Sequence, residues 1–69
     1  MSEGRKYWQE ILIIFEDSLL MNFNEGIYND SDIRDLQELS KACPYSDISN
    51  IFLELSELIE EKKEISGLV

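Results

Sequence analysis

Apolar side chains recur along this chain at steps of three and four rather than two, and that spacing predicts helices. From Arg5 to Phe23, the residues Trp8, Leu12, Phe15, Leu19 and Phe23 fall on one helical stripe. Tyr7, Ile11, Ile14 and Met21 form a second stripe beside it. Two adjacent stripes make an apolar face wider than a surface helix usually carries, which predicts a first helix placed between other elements or against a partner. The β-branched cluster Ile11, Ile13 and Ile14 raises a strand alternative, but the length and the 3.6-residue spacing favour helix.

The pattern breaks from Asn24 to Ser31, where Gly26 is able to take a positive φ and Asn29, Asp30 and Ser31 suit a turn or an N-cap. A shorter second helix is expected from Asp32 to Ala42, with Ile33, Leu36 and Leu39 inward and Asp32 and Asp35 near the positive end of its dipole. Cys43-Pro44-Tyr45 ends it, because proline lacks the N–H a helix needs and disfavours the α conformation in the residue before it.

Ser46 is expected to cap a third helix, along which Ile48, Ile51, Phe52, Leu55, Leu58 and Ile59 give the clearest amphipathic pattern in the chain. Leu53 falls outside that stripe. Glu54, Glu57, Glu60, Glu61 and Glu64 line much of the opposite side, Lys62 and Lys63 lie toward the negative end of the dipole, and Gly67 offers a stop. The expected core is Trp8, Ile11, Leu12, Phe15, Leu19, Ile33, Leu36, Leu39, Ile48, Ile51, Phe52, Leu55, Leu58 and Ile59. The fold expectation is an all-α, small three-helix domain over residues 1–69, dominated by the first and third helices. Chains this short bury a modest fraction of their surface, so self-association or a partner is a route to completing the core.

Charge narrows the function. Fifteen Asp and Glu stand against six Lys and Arg, with no histidine, for a net charge of −9. Nucleic-acid binding draws its affinity from cations that replace counterions, so this balance argues against direct DNA or RNA contact. The same field raises encounter rates with a basic protein, an effect that salt weakens. Surplus carboxylates also serve simple solubility. Glu57 and Glu61, and Glu60 and Glu64, stand four residues apart, where like charges cost a few tenths of a kcal/mol in an isolated helix, roughly. A basic partner would relieve that repulsion; neighbouring lysines offset it in a merely solvated face. The residues expected to meet a partner are therefore Glu54, Glu57, Glu60, Glu61 and Glu64, with the turn tyrosines Tyr28 and Tyr45 as aromatic anchors. Trp8 is expected to be buried.

Little in the chain suggests catalysis. Without histidine the usual neutral-pH base is missing, and Cys43 has no histidine or clustered cations to activate its thiol, so it reads as a small apolar residue at the end of the second helix. Glu16 and Asp17 are consecutive in a helix and point about 100° apart. Asn29-Asp30-Ser31-Asp32 begins like a calcium loop, yet the EF-hand register from Asp30 puts Arg34 at a ligand position and Asp35 at the glycine position. Asn29-Asp30-Ser31 also matches a glycosylation sequon. No catalytic, cofactor or metal site is expected. The single cysteine, the short apolar run from Ile11 to Phe15 and the lack of a signal-peptide pattern predict a cytoplasmic protein with no membrane partner.

Tyr7-Trp8 with Ile11-Leu12-Ile13-Ile14, Gly26-Ile27-Tyr28-Asn29-Asp30, Glu38-Leu39-Ser40, Ser46-Asp47-Ile48 and Ile65-Ser66-Gly67-Leu68 follow one another in an order that resembles the C-terminal collar domain of the bacterial DNA polymerase III clamp-loader delta-prime subunit. The resemblance implies a non-catalytic oligomerisation module in DNA replication, packing beside other clamp-loader subunits through apolar contacts. That family's nucleotide-binding-fold domains have no counterpart among these residues, and its last helix would lie beyond Val69, leaving an apolar face uncovered. The competing expectation is a free-standing acidic inhibitor, such as an immunity protein, an antitoxin-like protein or a phage antagonist, that blocks a basic protein surface. Its sharpest form, a DNA mimic, needs rows of carboxylates, whereas here they alternate with apolar residues.

Overall fold

A computed structural model of the chain describes residues 2–67 as three helices, α1 (Ser2–Glu25), α2 (Asp30–Ala42) and α3 (Ser46–Gly67). The all-α, three-helix expectation holds. α1 begins three residues earlier and ends two residues later than the apolar stripe suggested, and α2 begins at Asp30 rather than Asp32. Periodicity reports the buried middle of a helix, while its polar ends are set by caps.

Those caps are visible. Gly26 has φ +75°, its N–H donates to the Phe23 carbonyl at 3.2 Å, and the Ile27 N–H donates to the Asn22 carbonyl at 2.8 Å. The two bonds make a Schellman motif, which needs a left-handed residue at the position Gly26 fills. Asn29 takes the N-cap of α2 with extended backbone, but its side chain donates to Asp32 at 3.3 Å instead of capping a backbone N–H. At α3 the expected Ser46 cap gives way to Tyr45, whose carbonyl accepts the Ser49 N–H at 2.8 Å, so Ser46 opens the helix proper. The stop expected at Gly67 lies at the edge of the described residues.

The chain runs up, down and up. α2 and α3 are antiparallel, since Ser40 late in α2 meets Ser49 early in α3 and Asp30 at the head of α2 pairs with Lys63 late in α3. α1 is parallel to α3, because Arg5 meets Asp47 and both Trp8 and Phe15 meet Phe52. The α2–α3 pair is the closer one, and α1 is held at greater distance through large side chains. Small residues explain the difference. Ser49 Oγ donates to the Ser40 carbonyl at 2.6 Å, and the two hydroxyls lie 3.1 Å apart, which draws the α2 and α3 backbones together. Phe52 holds α1 off, with the Trp8 and Phe15 rings edge-on to it at 6.2 and 6.4 Å. The molecule is elongated, 48 × 20 × 16 Å.

Leu12, Leu19, Leu36, Cys43, Ile48, Phe52 and Ile59 form the buried core, with Trp8, Ile11, Phe15, Phe23, Ile33, Leu39, Tyr45 and Leu55 packed half-buried around it. Cys43 takes the apolar role expected of it. Two expected core residues do not belong: Ile51 and Leu58 are 37% and 39% exposed. They stand seven residues apart on the flank of α3 that the set-back α1 leaves uncovered. In their place α3 buries Ser56, whose hydroxyl donates to the Leu53 carbonyl at 2.6 Å and so needs no partner from another helix. Trp8 is half-buried rather than enclosed.

Candidate protein-binding faces

Two faces carry the features expected of a binding surface, and they lie on different helices. On α3, Glu54, Glu57, Glu60, Glu61 and Glu64 are all exposed. Helical rotation of about 100° per residue spreads them over roughly a third of the circumference. Glu60 and Glu64 border a groove of about 440 Å³ against α2, whose other walls are Asp30, Ile33, Arg34, Gln37 and Lys63. Lys63 forms an ion pair with Asp30 there, so one lysine of the acidic helix is already engaged within the fold.

The turn tyrosines are partly buried and pack against side chains of α1. Tyr28 is half-buried with its ring 6.1 Å from that of Phe23. Tyr45 is half-buried under Arg5, whose guanidinium carbon lies 5.7 Å from the ring centre. A Cβ at Gly4 would lie 2.8 Å from the Tyr45 hydroxyl oxygen, so the glycine leaves room for this ring on α1. Both tyrosines hold the turns against α1 in this arrangement.

Arg5 also reaches Asp47 in a two-pronged ion pair, one prong of which is the 3.2 Å bond from Nη1 to Oδ1. The hydrogen bond from Arg5 holds the Asp47 carboxyl below the usual carboxylate range, against a desolvation effect of opposite sign, and the Ile48 backbone N–H adds to the lowering. The Asp47 hydrogen bond in turn raises Arg5 above its ordinary value. This pair ties the heads of α1 and α3 together on the surface.

The second face was only partly legible. Tyr7, Ile14 and Met21, three of the four residues of the second stripe read from the sequence, are not covered by another element of the chain. They point away from the core, as do Ile13 and Leu20, and all five are between 56% and 67% exposed. α1 is thus an outer helix with apolar residues on both sides. The Ile13–Leu20 pair was missed because polar Gln9, Glu10, Glu16 and Asp17 fill the three- and four-residue steps around Ile13, and only Phe23 continues it beyond Leu20; its seven-residue recurrence, shared with Tyr7, Ile14 and Met21, was the available signal. Between the two apolar edges lie Glu3, Glu10 and Asp17, again seven residues apart and exposed.

A shallow apolar groove of about 430 Å³ adjoins this face between α1 and α3, lined by Leu19, Leu20, Phe23, Leu55 and Leu58 with Glu16 and Asp17 at its edge. Another, of about 410 Å³, lies between α1 and α2, where Ile11, Phe15, Leu39 and Ala42 are edged by Asp35 and Glu38. Apolar floors with carboxylate rims recur on both sides of α1. Among the described residues no three acidic or thiol ligands converge as a metal site would require, and no helix is long and apolar enough to cross a membrane. Comparison with protein-family models, curated proteins and solved structures found no match.

Proposed function

We propose that this chain is a non-catalytic protein-interaction domain that docks on a basic protein surface. The observation that carries the reading is the outer face of α1, where five large apolar side chains stand exposed on a protein of charge −9. Exposed apolar surface of that kind, set among carboxylates, is the signature of a docking site more than of a solvated exterior. The glutamate face of α3 adds long-range attraction to the same class of partner.

A second reading rests on the same uncovered face. An oligomerisation module of the clamp-loader collar kind would cover α1 with apolar neighbours and depend little on salt. Capture from host lysate on the immobilised full chain separates the two, with bound proteins identified by mass spectrometry at low salt and at about 0.1 M, where the Debye length is about 10 Å. Recovery of one basic protein that is lost as salt rises, and lost with Ile14→Ser and Met21→Ser, is the expected result. Salt-resistant recovery of clamp-loader subunits would replace this reading with the collar one. Capture that is indifferent to both salt and the α1 substitutions would remove both.

A further inference from the structure

We infer that the outward face of α1 receives a basic amphipathic helix from the partner, with a Lys or Arg row of the incoming helix seated along Glu3, Glu10 and Asp17. This rests on the interaction-domain reading above and adds to it the place and the chemistry of docking. Buried Leu12 and Leu19, with half-buried Trp8 and Phe15, fix the inner side of α1. At about 100° per residue, Glu3, Glu10 and Asp17 then lie opposite that side, Tyr7, Ile14 and Met21 flank them on one edge, and Ile13 and Leu20 on the other. The row from Glu3 to Asp17 is about 21 Å long at 1.5 Å per residue, and it slants by about 20° per seven residues, as the seam between two supercoiled helices does.

Three features choose the occupant. The seven-residue recurrence of all three lines matches a second helix laid alongside, whose own side chains return to one face every two turns. A β-strand returns to one face every second residue and would lose register with the acidic row within a few residues. Charge then selects the sign. A second copy of this chain laid face to face would bring the Glu10 and Asp17 rows of two acidic molecules together, with Lys6 the one basic residue among Glu3–Asn24 of either copy able to lie near the rows. An anionic membrane surface is disfavoured for the same reason. A basic helix with apolar residues on either side of its charged row satisfies charge and apolar edges at once, and removal of the flanking side chains from water strengthens the ion pairs between them.

The test uses the full chain and a labelled synthetic helical peptide of about 18 residues, about 27 Å long, with Arg at every seventh position and Leu on both sides of that row. Anisotropy at low salt is expected to show binding that a composition-matched scrambled peptide lacks. Glu10→Lys with Asp17→Lys is expected to weaken it by about tenfold or more, the scale of close charge pairs at interfaces, and Ile14→Ser with Leu20→Ser by a comparable factor. Glu57→Lys with Glu61→Lys, on α3, is expected to weaken it severalfold less than the α1 pair does, through the long-range field alone. All substituted residues are exposed, and circular dichroism is to establish that each variant is folded before its binding is compared. Equal weakening by the α3 pair, equal binding of the scrambled peptide, or no binding overturns the inference. So does a dimer in sedimentation that Ile14→Ser disperses, which would give the face to a second copy, or binding to anionic vesicles in preference to the peptide. The partner captured from lysate separates this inference from the broader one: its loss with the α3 pair and retention with the α1 pair would leave the interaction domain standing and sink the α1 site.

Discussion

At the scale of single residues, the Arg5–Asp47 pair makes a pH prediction with a defined sign. Asp47 titrates lower in the folded chain than an unfolded aspartate does, near 3.9. The folded state therefore binds fewer protons at this site, so the pair stabilises the fold fully above about pH 3.9 and less as pH falls through the lower folded value. Asp47→Asn should lower the melting temperature at pH 7, and the difference from wild type should shrink as pH falls through the lower folded value, where the native carboxyl is protonated too. A wild-type carbon resonance of Asp47 that titrates at or above 3.9 would contradict this. Phe52 makes a larger prediction. It is fully buried and receives two rings edge-on, so Phe52→Ala should cost about 3–5 kcal/mol. That is a large share of a small domain's stability of about 5–15 kcal/mol, and urea unfolding should show it as a collapse of the midpoint.

At the scale of elements, the two helix pairs are joined by different chemistry. α2 and α3 are drawn together by the reciprocal Ser40 and Ser49 bonds, whereas α1 rests on α3 through aromatic rings and one surface ion pair. Local opening should follow that division, because regions with fewer close packed contacts open at lower free energy. Hydrogen exchange is expected to protect the amides of Leu36, Leu39 and Phe52 longer than those in the middle of α1, and binding of the basic helix should narrow the gap. Protection of α1 equal to that of α2 in the free chain would argue against a loosely seated first helix. Helix existence was legible in the sequence from apolar spacing, and the boundary at Gly26 from its turn chemistry. The early start of α2 was not, since Asp30 and Ser31 are exposed and contribute nothing to periodicity.

At the scale of the whole molecule, three helices leave the first with only one side covered. The wide apolar face of α1 was visible as two stripes, with a place between other elements or against a partner as the expectation. Which stripe remained uncovered depended on the standoff that Phe52 imposes and on the short reach of α2, about 20 Å at 1.5 Å per residue. The same standoff exposes Ile51 and Leu58, two residues whose spacing alone placed them inside. The acidic face of α3 was legible, because glutamates opposite an apolar stripe leave no other location. The row of Glu3, Glu10 and Asp17 was not, since it takes on meaning only when the inner side of α1 is known.

Local sequence by itself determined that this chain is helical, where its turns fall, that its surface is acidic and that Leu12, Leu19, Leu36, Ile48, Phe52 and Ile59 lie inside. Those properties follow from backbone propensity, glycine and proline geometry, charge and the energy of removing apolar groups from water, all of which act over a few residues. Only the tertiary structure decided the up-down-up arrangement, the intimacy of α2 with α3, the burial of Ser56 and the outward turn of Tyr7, Ile13, Ile14, Leu20 and Met21. Each of these depends on the distance between helices. That distance is set by the sizes of side chains far apart in sequence, two serines on one side and a phenylalanine on the other.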